Sequence, residues 1–149
     1  SDWPAMEYAS KTLDDFGIEY EVNAISAHRC HQHLEEYMAT VNQRGIDVVI
    51  AAAGGAAHLA GVVASLTTKP VLGVPMDSKH LQGMDSLLST VQMPAGIPVA
   101  TFAIGKPGAI NAALFTVSLI GRKESSVSRK LDDFRQKQTQ QLIENTDPR

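Results

Sequence analysis

Residues 46–66, IDVVIAAAGGAAHLAGVVASL, restrict the possible folds more than any other stretch of the chain. Residues 46–52 form a short apolar run rich in β-branched side chains, the pattern of a strand buried on both faces. Gly54 and Gly55 break the run, and an alanine-rich segment follows that is long enough for about three helical turns. Strand, glycine turn and helix in this order make half of a βαβ unit. The glycine pair lets the backbone turn sharply and lets a ligand approach main-chain N–H groups, at a helix N-terminus that favours an anion. His58 is expected in the first turn of that helix, beside the same spot. The competing reading is a turn of small residues that only packs helix against strand, because a glycine pair is a weak signal.

The remaining sequence extends the alternation. Ser1, Asp2 and Pro4 stand ahead of a helical face made by Met6, Ala9, Leu13 and Phe16, which Gly17 stops. Residues 20–25 read as a strand, residues 26–29 as a polar cluster, and Leu34, Tyr37, Met38 and Val41 as the face of a second helix ending at Gly45. Residues 70–74 are another buried strand, closed by Pro75. Then come an exposed loop (76–83), a short helix (85–91), a Pro- and Gly-containing loop (92–98), a last strand (99–104), a turn (105–108) and a helix over 109–120 ended by Gly121. From Lys123 onward the chain turns charged and glutamine-rich, with a thin stripe of Val127, Leu131 and Phe134. That final helix is expected to lean on another subunit or to fray.

Four strand–helix alternations predict an α/β protein with a parallel sheet covered by helices on both faces. Ligands of such sheets bind outside the carboxyl ends of the strands. The polar clusters at 26–29, 54–58 and 77–80 each follow a strand, so they are expected to meet on one edge.

A chain of 149 residues makes one domain with a proper core, and 44% hydrophobic with 19% charged residues is the balance of a globular protein. A formal charge of −3 without any run of Lys or Arg leaves no footprint for nucleic acid. The one cysteine, Cys30, excludes an intrachain disulfide and fits a reducing cytoplasm. Asp47, the glycine pair and His58 interrupt the only stretch apolar enough to suggest a membrane span, so no membrane partner is expected, and no secretory leader pattern opens the sequence.

His28 with Arg29 is the best chemical pair. A guanidinium at a strand end can take two oxygens of a phosphate monoester, and a neighbouring imidazole can move a proton near neutral pH. The alternatives are that both are solvated loop residues and that His58 caps its own turn. No metal is expected: His31 and His33, two residues apart, fall on different sides of a helix, and no second cluster has ligand spacing. Cys30 lacks an Asp or Asn to complete a relay, and AAAGGAAH lacks the G-x-G-x-x-G spacing of dinucleotide sites. The residues alone support a phosphorylated small ligand at the sheet edge, with one or two histidines for proton transfer.

At these residues the chain resembles a known family. SDWP, SAHR (26–29), AGGAAHLAG (53–61), PVLGVP (70–75), DSLLSTVQMP (85–94) and PVATFAIGKPGAINAAL (98–114) are similar to the N5-carboxyaminoimidazole ribonucleotide mutases of purine synthesis, in the family's order from Ser1 to about Gly121. The resemblance implies a flavodoxin-like three-layer α/β/α sandwich over residues 1–122. It also implies a helical extension over 123–149 that packs on a neighbouring subunit of a homo-octamer. It implies an isomerase that decarboxylates and recarboxylates its substrate with no metal or organic cofactor, the proton being moved by His28 with His58 nearby. Ser1, Asp2, Ser26 and Arg29 take the phosphate and ribose contacts, and Ala53, Gly54, His58 and Leu59 the glycine-turn contacts. The family's strand and G-S-x ahead of Ser-Asp are absent, so these residues are expected to be the tail of a longer chain. Thr-Pro after SAHR is replaced by Cys30 and His31, which loosens the turn that positions His28. Rival expectations are a related carboxylase that uses free carbon dioxide and a non-catalytic ribonucleotide-binding module.

Overall fold

The computed structural model describes residues 1–146. In chain order the elements are α1 (Trp3–Phe16), α2 (His31–Ala39), β1 (Val49–Ala53), α3 (Leu59–Ser65), β2 (Val71–Pro75), α4 (Met84–Val91), β3 (Ala100–Thr101), α5 (Lys106–Gly121) and α6 (Ser125–Glu144). The three strands form one parallel sheet in the order β1-β2-β3, with Val49 opposite Val71 and Leu72 opposite Ala100. β2 lies in the middle and all five of its residues are buried, as its unbroken apolar run requires.

Alternation along β2 divides the core in two. Leu72 and Val74 point to one face, where they meet Leu13 and Phe16 of α1, Ala109, Ala112, Ala113 and Val117 of α5, and Val127 of α6. Val71 points to the other, with Leu34 and Met38 of α2, Val63 of α3 and Ala51 of β1. Helices therefore cover both faces, as the strand pattern predicts. Gly17 ends α1 in the left-handed conformation (φ 72°).

Four elements differ from their expected form. Residues 20–25 make no backbone ladder; instead Glu21 takes hydrogen bonds from Tyr37 of α2 and from Arg44 in the turns that follow it, which tie down the run and hold the Glu21 carboxyl below its ordinary range. β-Branched composition makes a strand only where a neighbouring strand offers its own donors and acceptors, and here the nearest strand edge, that of β1, lies across an open crevice. The last strand contracts to Ala100–Thr101. α3 spans seven residues rather than three turns, which places His58 at its N-cap with no side-chain capping bond. So short a helix supplies no anion site by itself. α2 ends at Ala39, with turns carrying the chain on to Gly45.

The thin stripe of α6 packs on its own chain. The rings of Phe16 and Phe134 meet edge to face at 5.7 Å, and Lys130 Nζ donates to the Phe16 carbonyl at 3.0 Å. Removing the half-buried ring with Phe134→Ala is expected to cost about 2 kcal/mol, read as a lower urea midpoint at unchanged slope. Residues 147–149 of the expected C-terminal extension lie outside the described residues.

Candidate functional site

At the carboxyl ends of the strands a crevice of about 1600 Å³ opens, and it continues between residues 18–25 and the free edge of β1. Ser1, Asp2, Ser26 and Arg29 line it from the side of α1 and the SAHR turn. Ala53, Gly54, His58 and Leu59 line the opposite wall. Every site residue expected from the sequence thus faces one cavity, although 30 positions separate its two histidines.

The SAHR turn is built by its serine. Ser26 Oγ accepts hydrogen bonds from the Arg29 backbone N–H at 3.2 Å and from Arg29 Nε at 3.3 Å, while the Cys30 N–H donates to the Ser26 carbonyl at 2.9 Å. One hydroxyl therefore folds the turn and anchors the guanidinium, leaving the terminal nitrogens of Arg29 for an anion. Cys30, at the N-cap of α2, makes no side-chain capping bond.

On the opposite wall, Gly55 adopts φ 67°, a conformation glycine takes without a Cβ penalty. The N–H groups of Ala57 and His58 donate two residues back, to Gly55 O at 2.9 Å and Ala56 O at 2.8 Å, so the loop is wound tightly. This brings His58 to His28. His28 Nε2 and His58 Nδ1 are 2.8 Å apart, with ring centroids at 4.9 Å and planes at 88°. Such a bond needs a proton on one nitrogen and a lone pair on the other, so the pair holds one shared proton beside the ligand space.

The third polar cluster joins only in part. Asp77 lines the crevice, whereas Ser78 donates to Asp85 and accepts from the Gly83 N–H, closing the 78–83 loop. The hydrogen bond from Ser78 holds the Asp85 carboxyl below its ordinary range. Met76 and Gly105 also face the crevice without having been expected there. The signal was present, since Met76 directly follows β2 and Gly105 follows the β3 segment. His31 lies within 3.3 Å of Glu35, and no group of three His, Cys, Asp or Glu among the described residues could hold a metal ion.

A parallel α/β/α sandwich with a paired-imidazole, arginine-flanked crevice at its strand ends defines the class: a flavodoxin-like α/β protein. The profile of the family described as AIR carboxylase matches residues 1–141. The N5-carboxyaminoimidazole ribonucleotide mutase of Pseudomonas aeruginosa is 52% identical over 149 residues, covering 100% of this chain and 91% of the relative. The mutase of Bacillus subtilis is 50% identical over 147 residues, 99% of this chain and 91% of the relative. The crystal structure of PurE from Treponema denticola superposes with a TM-score of 0.85 at 24% identity, over 97% of this chain and 89% of that one, which supports the fold. The chain belongs to the AIR carboxylase family.

Proposed function

We propose that this protein is an isomerase that converts N5-carboxyaminoimidazole ribonucleotide to 4-carboxyaminoimidazole ribonucleotide in purine biosynthesis. The observation that carries the reading is the 2.8 Å contact of His28 and His58 beside Arg29, in a chain half identical to named mutases over nine-tenths of their length. In this reading the carbamate C–N bond breaks and carbon dioxide is released inside the crevice. The imidazole carbon then attacks it to form the new C–C bond. The exocyclic nitrogen gains a proton and the attacked carbon loses one. A single shared proton between two imidazoles suits that exchange, because His28 can give a proton to one atom and receive one from the other. The crevice walls keep the gas near the carbon that must recapture it. The substrate carries the reacting electrons, so these residues need only bind, confine and move a proton.

Arg29, with Ser26, Ser1 and Asp2, is assigned to the phosphate and ribose. Arg29→Ala is expected to raise KM about 10- to 100-fold, the loss of one or two charge-assisted hydrogen bonds, with kcat changed far less. Arg29→Lys should restore only part of that, since an ammonium cannot form the two-pronged contact. Steady-state kinetics at fixed pH read both.

The reaction itself is tested by offering two substrates. The mutase consumes the N5-carboxylated ribonucleotide without added bicarbonate. A carboxylase would instead require aminoimidazole ribonucleotide with bicarbonate, and a binding module would bind either and convert neither. Assembly belongs to the same reading. Leu142 and Ile143, 73% and 62% exposed near the end of α6, and exposed Leu81, Met84, Leu88 and Val91 around α4 supply the apolar surface for a homo-octamer in which the 123–149 extension reaches a neighbouring subunit. Native mass measurement decides the octamer. No helix among the described residues is long and apolar enough to cross a membrane.

A further inference from the structure

The loop that carries His58 is held from outside by α4. The Gly55 N–H donates to Ser86 Oγ at 2.8 Å, and the Ala57 N–H donates to Ser89 Oγ at 3.0 Å. Both hydroxyls lie on the face of α4 turned to the loop, and Ser86 is fully buried. Thr90, one residue further, donates its hydroxyl proton to the Ser86 carbonyl at 2.7 Å and packs its methyl against β2. A glycine at position 73 permits that approach: a Cβ there would stand 2.5 Å from Thr90 Cγ2 and 2.9 Å from Val99 Cγ1. The path runs from Gly73 through close seating of α4 to two serines, then to the 55–57 backbone and the His58 imidazole.

Besides those serines the loop has few ties. The two short-range bonds to Gly55 O and Ala56 O wind it, the Val62 N–H donates to the His58 carbonyl at 3.0 Å, and Thr90 Oγ1 reaches the Ala57 carbonyl only at 3.4 Å, so Ser86 and Ser89 supply the shortest bonds from α4 to residues 55–57. The ladder to β2 ends where Met76 N–H meets Ala53 O at 2.9 Å. The His58 side chain makes no capping bond that would fix it to α3.

We infer that Ser86 and Ser89 are positioning residues for the reaction, holding residues 55–57 so that the His58 imidazole stays within hydrogen-bond reach of His28. Neither touches the ligand space; each acts through the loop. The inference rests on the proposed role of the histidine pair, and it extends that role to a helix outside the crevice.

The test compares Ser86→Ala, Ser89→Ala and Ser89→Thr with the parent, using Phe134→Ala as a variant destabilised far from the loop. The first readout is the imidazole N–H region of proton and nitrogen NMR spectra of the resting protein, where a proton shared across 2.8 Å gives a downfield signal. Both alanine variants should lose or broaden it, Ser89→Thr should keep it by retaining the hydroxyl, and Phe134→Ala should keep it despite lower stability. The second readout is kinetic: the alanine variants should lose about 10- to 100-fold in kcat, the scale of a misplacement near 1 Å, with KM within about threefold. Ser89, only half-buried, keeps the test open if the buried Ser86→Ala variant fails to fold. An unchanged imidazole signal in Ser89→Ala overturns the inference, as does loss of the signal in Phe134→Ala to the same degree. Should the parent convert neither substrate, the functional reading fails, yet the spectra still decide whether the serines position His58.

Discussion

Replacing His28 by asparagine is expected to lower kcat by about 10³-fold or more while the protein still binds ribonucleotide. Loss of a group that carries a proton in the rate-determining step costs roughly 10²–10⁴-fold. In His28→Asn the amide keeps the polarity of the site but cannot exchange a proton, and His58 loses the nitrogen that lies 2.8 Å from its own. The side chain of residue 28 is exposed and contributes to neither apolar core, so the fold should be untouched. Calorimetric titration with a non-reacting ribonucleotide should give a Kd within about threefold of the parent, and thermal unfolding should coincide. A variant that turns over as fast as the parent would move the proton step to another group.

The second large effect concerns stability, at Gly108→Ala. A Cβ at Gly108 would lie 1.7 Å from the carbonyl oxygen of Ala103, 2.7 Å from its carbon and 3.1 Å from Val74 Cγ1. The carbonyl cannot retreat cheaply, because Phe102 N–H donates to Gly73 O at 2.9 Å and Gly105 N–H to Pro75 O at 2.8 Å, pinning residues 102–105 to the sheet. α5 must therefore move instead, and α5 carries Ala109, Ala112, Ala113 and Val117, all 0% exposed. The expected loss is about 3 kcal/mol, the upper end of overpacking effects, or roughly 10 °C in Tm. Thermal unfolding by circular dichroism reads it directly, and an unchanged Tm would mean that α5 tolerates displacement.

How much of this was legible in the sequence depended on where the decisive partner lay. Gly17, Pro75 and Gly121 mark boundaries through local backbone preference, and the elements they bound fall close to expectation. The apolar run of β2 declared burial on both faces and has it. Residues 20–25 have strand composition but no ladder, because pairing is a property of two segments and only one is written in the run itself. The shortening of α3 has a similar origin: residues 55–58 find hydrogen bonds to α4 and to each other, and these displace the first helical turn. Site residues were legible because they follow strands, a rule of topology rather than of motif. The serines of α4 were legible only as part of a family pattern. Their hydroxyls sit 31 and 32 positions from the amides they serve, a distance that no periodicity in the chain reports.

The edge-to-face contact of Phe16 with Phe134, and the Lys130 bond to the Phe16 carbonyl, join the first helix to the last. During translation α1 therefore emerges with its apolar side uncovered, and its main partner, α5, begins only at Lys106. At ribosomal speeds of about 5–20 residues per second that is a delay of roughly 5–20 seconds. Leu13 and Phe16 stay uncovered by α5 over that interval, and the helical layer closes only once α5 and α6 have both left the exit tunnel.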